Sequence, residues 1–262
     1  MNSALFVAKT GLSAQDTALR VISNNLANVS TVGFKRDRAV FEDLMYQTQR
    51  QPGAESAEGS QLPSGLQLGT GVRIVGTQKL FQEGSIENTG DAFDVAINGR
   101  RGFFPVTLPT GDTGYTRHGQ WQINSDNELV TAEGFVLQPG ITLPAEVQTL
   151  TIGQDGQVTV VTAGNTAAQN IGQIQLADFV NPAGLEAIGQ NMFLETNASG
   201  APILNNPGEG GTGALLQGSL EGSNVNAVEE LVNLITTQRA YEVNSKVIST
   251  ADEMLSFVTQ QL

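Results

Sequence analysis

The chain has 262 residues and a mass of 27.6 kDa, enough to bury a substantial core and to divide into two domains. Its net charge of −13 repels a nucleic-acid backbone and an anionic membrane surface, so neither is expected as the main partner. The absence of cysteine removes disulfides, thiolate metal sites and cysteine nucleophiles together, and no apolar run reaches the roughly 18 residues that would span a bilayer.

The first residues lead straight into a helical pattern, without the basic head, apolar centre and small-residue cleavage site of an export signal. Sequence rules alone therefore point to the cytosol. After Ser3 as a cap, Leu5, Leu12, Leu19 and Leu26 recur at a seven-residue step, with Ala8, Gln15, Ile22 and Val29 three residues further on. This spacing predicts a long helix with an apolar seam. The helix ends in NNLANVSTVGFKR, residues 24–36. There the amides of Asn24, Asn25 and Asn28 either cap the helix or bond a neighbouring chain, before a turn at Gly33.

Residues 50–71 lose the helical period and carry Gln, Gly, Ser, Glu, Pro52 and Pro63, the composition of a long loop or linker. From 72 to about 220 the pattern becomes short β runs at 93–97, 103–108, 121–123, 129–131, 135–137, 158–161 and 174–179, separated by Gly, Asn, Asp and Pro clusters. No helical crossover interrupts them, so a barrel or sandwich is expected rather than a doubly wound sheet. Trp121, with Phe93, Phe103, Phe135 and Phe179, is assigned to the core. Pro105 lacks a backbone donor, which predicts an edge strand or a bulge.

The C-terminal stretch, residues 226–262, repeats the seven-residue step with Leu234, Tyr241, Ile248, Leu255 and Leu262, and places Thr237, Asn244, Ala251 and Val258 between them. It opens on Asn226 followed three residues later by Glu229, a reciprocal cap, and no Gly or Pro breaks it. The two ends also match in charge. Residues 1–38 hold five Lys/Arg against two Asp/Glu, net +3, and residues 221–262 hold two against six, net −4.

Little here carries chemistry. Gly208-Glu-Gly-Gly-Thr-Gly213 fits a dinucleotide fingerprint literally, but Pro202 and Pro207 precede it and no helix of useful length follows. His118 is the sole histidine, which excludes multi-histidine metal sites and places it in a turn after Arg117 rather than at a general base. Carboxylate pairs such as Asp91 with Asp94 and Glu128 with Glu133 arise by chance in an acidic chain. No catalytic residue, cofactor or metal site is expected, and the chain is not expected to be an enzyme.

Several segments carry a resemblance. KTGLSAQ at 9–15, the asparagine-rich 24–36 and SNVNAVEELVNLITTQRAYEVNSKVIST at 223–250 resemble the paired terminal signatures of bacterial flagellar axial proteins, the rod and hook family. AVFEDLMYQT at 39–48, QPGAESAEGSQLPSGLQLGTGV at 51–72, YTRHG at 115–119 and GLEAIGQNMFLET at 184–196 are similar to its distal-rod members in particular. One departure stands out: Ala96-Ile97-Asn98-Gly99-Arg100-Arg101-Gly102-Phe103-Phe104 is one residue longer between its glycines than the family pattern, which predicts an enlarged turn.

The resemblance implies an α+β subunit with long N- and C-terminal helices forming a coiled-coil-like pair and a central all-β barrel or sandwich. Its expected parts are an axial helix and signature turn at 1–45, a rod-specific insertion at 46–71, an outer β domain at 72–222 and a second axial helix at 223–262. The implied role is a homo-oligomeric helical tube in the basal body, crossing the periplasm and passing motor torque to the hook. Proximal rod proteins, hook-side axial proteins, surrounding rings and the type III export apparatus would be its partners, and export would need no cleaved signal. No nucleic acid and no membrane insertion are implied. Expected interface residues are Leu5, Leu12, Leu19, Ile22, Asn24, Asn25, Leu26, Asn28, Leu234, Tyr241, Ile248, Leu255 and Leu262. Gln51, Pro52, Leu62, Pro63, Gly65 and Leu66 represent the rod-specific segment, expected to pack on neighbouring subunits. A proximal rod subunit is the nearest alternative. A secreted β-rich carbohydrate-binding module or carbohydrate-active enzyme, dimerised by its helices, is a more remote one, because such a protein has little reason to carry long seams at both ends.

Overall fold

A computed structural model describes residues 3–51, 55–57, 60–61, 64–144, 147–163 and 165–260. Contacts divide the chain into two units, one of residues 1–26, 37–78 and 227–262, the other of residues 27–36 and 79–226.

The first unit holds both long helices, α1 (Ser3–Ala27) and α2 (Ala227–Gln260). At about 1.5 Å per residue they are roughly 38 and 51 Å long. The second helix begins directly after Asn226, and Glu229 and Glu230 occupy its first turn, where carboxylates offset the helix dipole. Beside the helices, Asp37–Asp43 pairs with Val72–Lys79 and Glu55–Ala57 with Ser60–Gln61. Tyr46–Arg50 pairs antiparallel with Leu66–Gly69, placing Tyr46 opposite Gly69, Gln47 opposite Leu68 and Thr48 opposite Gln67. The stretch read as a loop from its composition is thus opened and closed by paired strands. The short alternations Tyr-Gln-Thr and Leu-Gln-Leu, too brief to stand out beside Gly and Pro, are what pair.

The second unit is β-rich. Its largest sheet has the order Gln122–Ile123, Leu129–Val130, Val136–Leu137, Phe104–Thr107, Thr113–Thr116, Met192–Leu194, Glu186–Gly189. Among the described residues its two end strands do not pair, so the expected closed barrel is not formed. Strands of two to four residues are too short for the tilt and stagger that closure requires. A three-stranded meander, Val147–Ile152, Gln157–Thr162 and Asn165–Gln173, stands beside short pairs: Leu176–Asp178 with Ile203–Asn205, Val95–Asn98 with Ala214–Gln217, and Ile86–Asn88 with Ser219–Glu221.

One apolar core collects Phe104, Val106, Leu137 and Met192 from the large sheet, Leu150 and Val158 from the meander, and Val95, Ile97 and Leu215 from a short pair. Trp121 is buried edge-on against Phe104, and Phe93 and Phe135 pack on the same core. Phe103, Tyr115, Phe179 and Phe193 form a second cluster.

Pro105 corrects an expectation. It lies in a central strand, opposite Tyr115, rather than at an edge or bulge. Its own carbonyl accepts from Gln138 N, just past Leu137 where pairing with Val136–Leu137 stops, so its missing donor falls at the end of that ladder. In the enlarged turn, Arg101 makes a two-pronged ion pair with Asp178, Nε to Oδ1 at 3.0 Å and Nη2 to Oδ2 at 2.7 Å. This anchors the turn between Gly99 and Gly102 to Leu176–Asp178.

Candidate functional site

In the first unit the terminal helices meet. Asn25 Nδ2 donates to Glu230 Oε2 at 3.3 Å, Gly11 lies against the side chain of Asn244, and Phe6, Val7 and Ala8 share a groove with Val247. Residue numbers fall along α2 as they rise along α1, so the pair is antiparallel. The buried side of α1 is Ala8, Ala14, Ile22 and Asn25; on α2 it includes Glu230 and Ala251. Small residues let the helix surfaces approach, and Gly11 does so without any side chain. The buried Asn25 amide also bonds the backbone of Asp37 in both directions, each at 2.9 Å, joining the end of α1 to the first strand.

The expected interface residues fall into three groups. Ile22 and Asn25 are buried within the chain. Leu5, Leu12, Leu19, Leu26, Asn28, Leu234 and Ile248 are half-buried. Asn24, Tyr241 and Leu255 are exposed, the last two at 40% and 45%. Leu262 lies outside the described residues, as do Pro52, Leu62 and Pro63 of the rod-specific segment. Gln51 and Leu66 of that segment are exposed and Gly65 is half-buried.

Sequence reasoning missed a second apolar face on α2. Val232, Ile235, Val243, Val247, Met254 and Phe257 are 43–62% exposed and lie mainly away from the row of Leu234, Tyr241 and Ile248. The sequence carries a signal for it, since these six residues recur at helical spacing, but the seven-residue row is the more regular of the two. The groove of about 730 Å³ is continuous with this face at Val247 and is lined by Phe6, Val7, Leu68 and Gly69. Tyr46, Leu66 and Leu68 expose further apolar surface on the hairpin.

The second unit contains a buried charge cluster built from segments singled out in the sequence. Glu221 Oε1 accepts from Lys35 Nζ at 2.6 Å and from the backbone of Gly84 at 2.9 Å, while its Oε2 accepts from Arg117 Nη1 at 3.2 Å. All three side chains are essentially inaccessible to water. Lys35 Nζ also donates to Gln82 O at 2.7 Å, and Arg117 Nη1 to Gly99 O at 2.9 Å, with the guanidinium over the Phe103 ring. Burial pushes the Lys35 and Arg117 pKa values down, and the Glu221 carboxylate opposes this.

Around the cluster, Gly33 N donates to Glu221 O at 2.7 Å, Arg36 N to Asn224 Oδ1 at 2.7 Å, and Asn191 Nδ2 to Val32 O at 2.8 Å. His118, next to Arg117, is half-buried in a polar pocket with Asn28, Thr31 and Glu133; burial lowers its pKa, while Glu133 and Asp94 oppose the shift. Among the described residues no group of three or more His, Asp or Glu has the arrangement of a metal site. What this arrangement does is hold chain segments together.

Three family models match along the chain: a flagella basal body rod protein model at residues 5–35, a flagellar hook protein FlgE/F/G D1 domain at 96–160, and a flagellar basal body rod FlgEFG protein C-terminal model at 216–261. A flagellar basal-body rod protein FlgG of Buchnera aphidicola subsp. Schizaphis graminum is 54% identical over 260 residues, covering 99% of this chain and 100% of its own length. The chain belongs to the flagellar basal-body rod family. FlgG of Caulobacter vibrioides is 50% identical over 98% of both chains, and FlgG of Bacillus subtilis 39% identical over 97% of both. This member of the family is a structural subunit of the flagellar rod, whose place is the basal body. The matched terminal segments take in most of α1, all of α2 and two of the three charges in the buried cluster, Lys35 and Glu221. The D1 match takes in the third, Arg117.

Proposed function

We propose that this chain is the subunit of the distal rod, polymerising into a rigid helical tube that crosses the periplasm and passes torque from motor to hook. It is exported unfolded through the type III apparatus without a cleaved signal. Full-length similarity to proteins named FlgG supports the choice of the rod over other axial structures. The observation that carries the polymer reading is the open apolar face of α2. Covering one of its half-exposed side chains contributes about half of the roughly 1.5–3 kcal/mol that full burial gives, and a tube repeats that contact at every subunit.

In this reading Leu234, Tyr241, Ile248 and Leu255, with Leu5, Leu12, Leu19 and Leu26, complete a coiled-coil-like seam once neighbours are added. The hairpin around Gln51, Gly65 and Leu66 packs on an adjacent subunit, and proximal rod, hook-side and ring proteins meet the ends and outside of the tube.

Val243 tests the reading, because it is 62% exposed and its replacement disturbs little inside the subunit. Cells carrying Val243→Asp as their only copy are expected to make and export the protein yet build no complete rod, seen by electron microscopy of isolated basal bodies. Normal rods and motility in that strain would show that the open face is not an assembly surface.

A further inference from the structure

Lys35 and Glu221 are 186 residues apart, yet they share the shortest ion pair of the cluster, and Arg117 reaches the same carboxylate from the middle of the chain. Two cations thus converge on one buried anion. Glu83 and Asp178 act on the cluster through space, but Glu83 is exposed and Asp178 is engaged by Arg101. Without Glu221, Lys35 and Arg117 would face each other in a site closed to water, where like charges without a counter-ion are strongly disfavoured. The neighbouring backbone follows the same logic. Gly33 N and Arg36 N both bond to residues of 221–224, and Asn224 in turn bonds Leu80 O at 2.7 Å.

We infer that the Lys35–Glu221–Arg117 cluster is a chain-completion lock: segment 31–36 docks on the β-rich unit only when residues 221–224, close to the far end of the chain, have arrived. A chain that emerges N-terminus first would leave segment 31–36 undocked until nearly all of it is present. The inference goes beyond the rod reading and stands or falls independently of it.

Hydrogen exchange read by mass spectrometry on the full chain tests this as a double-mutant cycle. With Lys35 in place, Glu221→Gln is expected to speed exchange of amides 31–36 by at least about tenfold, together with 219–225, while 104–107 and 113–116 stay protected. In a Lys35→Met background, docking no longer buries the second cation, so adding Glu221→Gln is expected to change 31–36 by less than about threefold. Equal effects in both backgrounds, or none in either, would overturn the lock. Should Glu221→Gln alone fail to fold, the Lys35→Met/Glu221→Gln chain is expected to fold. Its failure would count equally against the inference.

Discussion

Gly33 shows how one backbone angle decides a whole turn. Its φ of +70° lies where side chains are disfavoured, and a Cβ built there would stand 2.8 Å from the carbonyl carbon of Arg117. Gly134 has a similar φ, +89°, with nothing within 4 Å of that position. Gly134→Ala is therefore expected to cost the backbone term alone, about 1–2 kcal/mol, and Gly33→Ala at least about 1 kcal/mol more through the clash, both read from urea unfolding. Equal costs would mean that the turn relaxes away from Arg117.

His118 supplies a pH dependence at the same scale. Its folded pKa is lowered by burial, so between its ordinary value of about 6.5 and the folded value the unfolded chain holds more protons. Its contribution is fully present above about pH 6.5 and is lost as pH falls through that window. His118→Gln, which removes the only histidine, is expected to flatten the stability profile just below about pH 6.5. An unchanged slope would remove His118 from that role.

At the scale of elements, the helix pair depends on close approach at Gly11. A Cβ there would stand 3.1 Å from Asn244 Nδ2, tight but against a side chain able to shift. Gly11→Ala is expected to be nearly neutral, crowding offsetting a helix-propensity gain of about 1 kcal/mol. Gly11→Leu is expected to destabilise by about 1–3 kcal/mol through overpacking, seen as loss of helical circular dichroism on heating.

The existence of both helices was legible from the seven-residue rows, and the short strands from their turn residues. Which helix face is buried was not. The Leu5 to Leu26 row is only half-buried because Ala8, Gly11 and Ala14 let α2 approach beside it, and periodicity does not separate a face covered within the chain from one left open. The charge cluster was invisible for another reason. Lys35, Arg117 and Glu221 look like ordinary surface charges until the fold carries them across 186 and 104 residues to one point.

For the whole molecule, the distribution of buried charge predicts what survives as a folded core. The β pattern legible in the sequence runs from 72 to about 220 and leaves both signature segments outside it. The structure instead ties 31–36 and 221–224 into the β-rich unit through Glu221, Asn224 and Gly33. Limited proteolysis of dilute subunit is therefore expected to stop before residue 31 at one end and after residue 225 at the other, because an amide held in a buried ion cluster opens only with the unit around it. A cut within 37–78 would separate the N-terminal piece covalently, yet the two fragments should still co-elute on size exclusion and part only in denaturant. The helices lie outside this boundary and should be removed first, since the pair buries only part of its apolar surface and the open face of α2 leaves it prone to fraying. If the N-terminal piece separates freely from the rest in native buffer, the cluster does not hold the signature segment in solution, and the ends of the chain order only when neighbouring subunits supply further contacts.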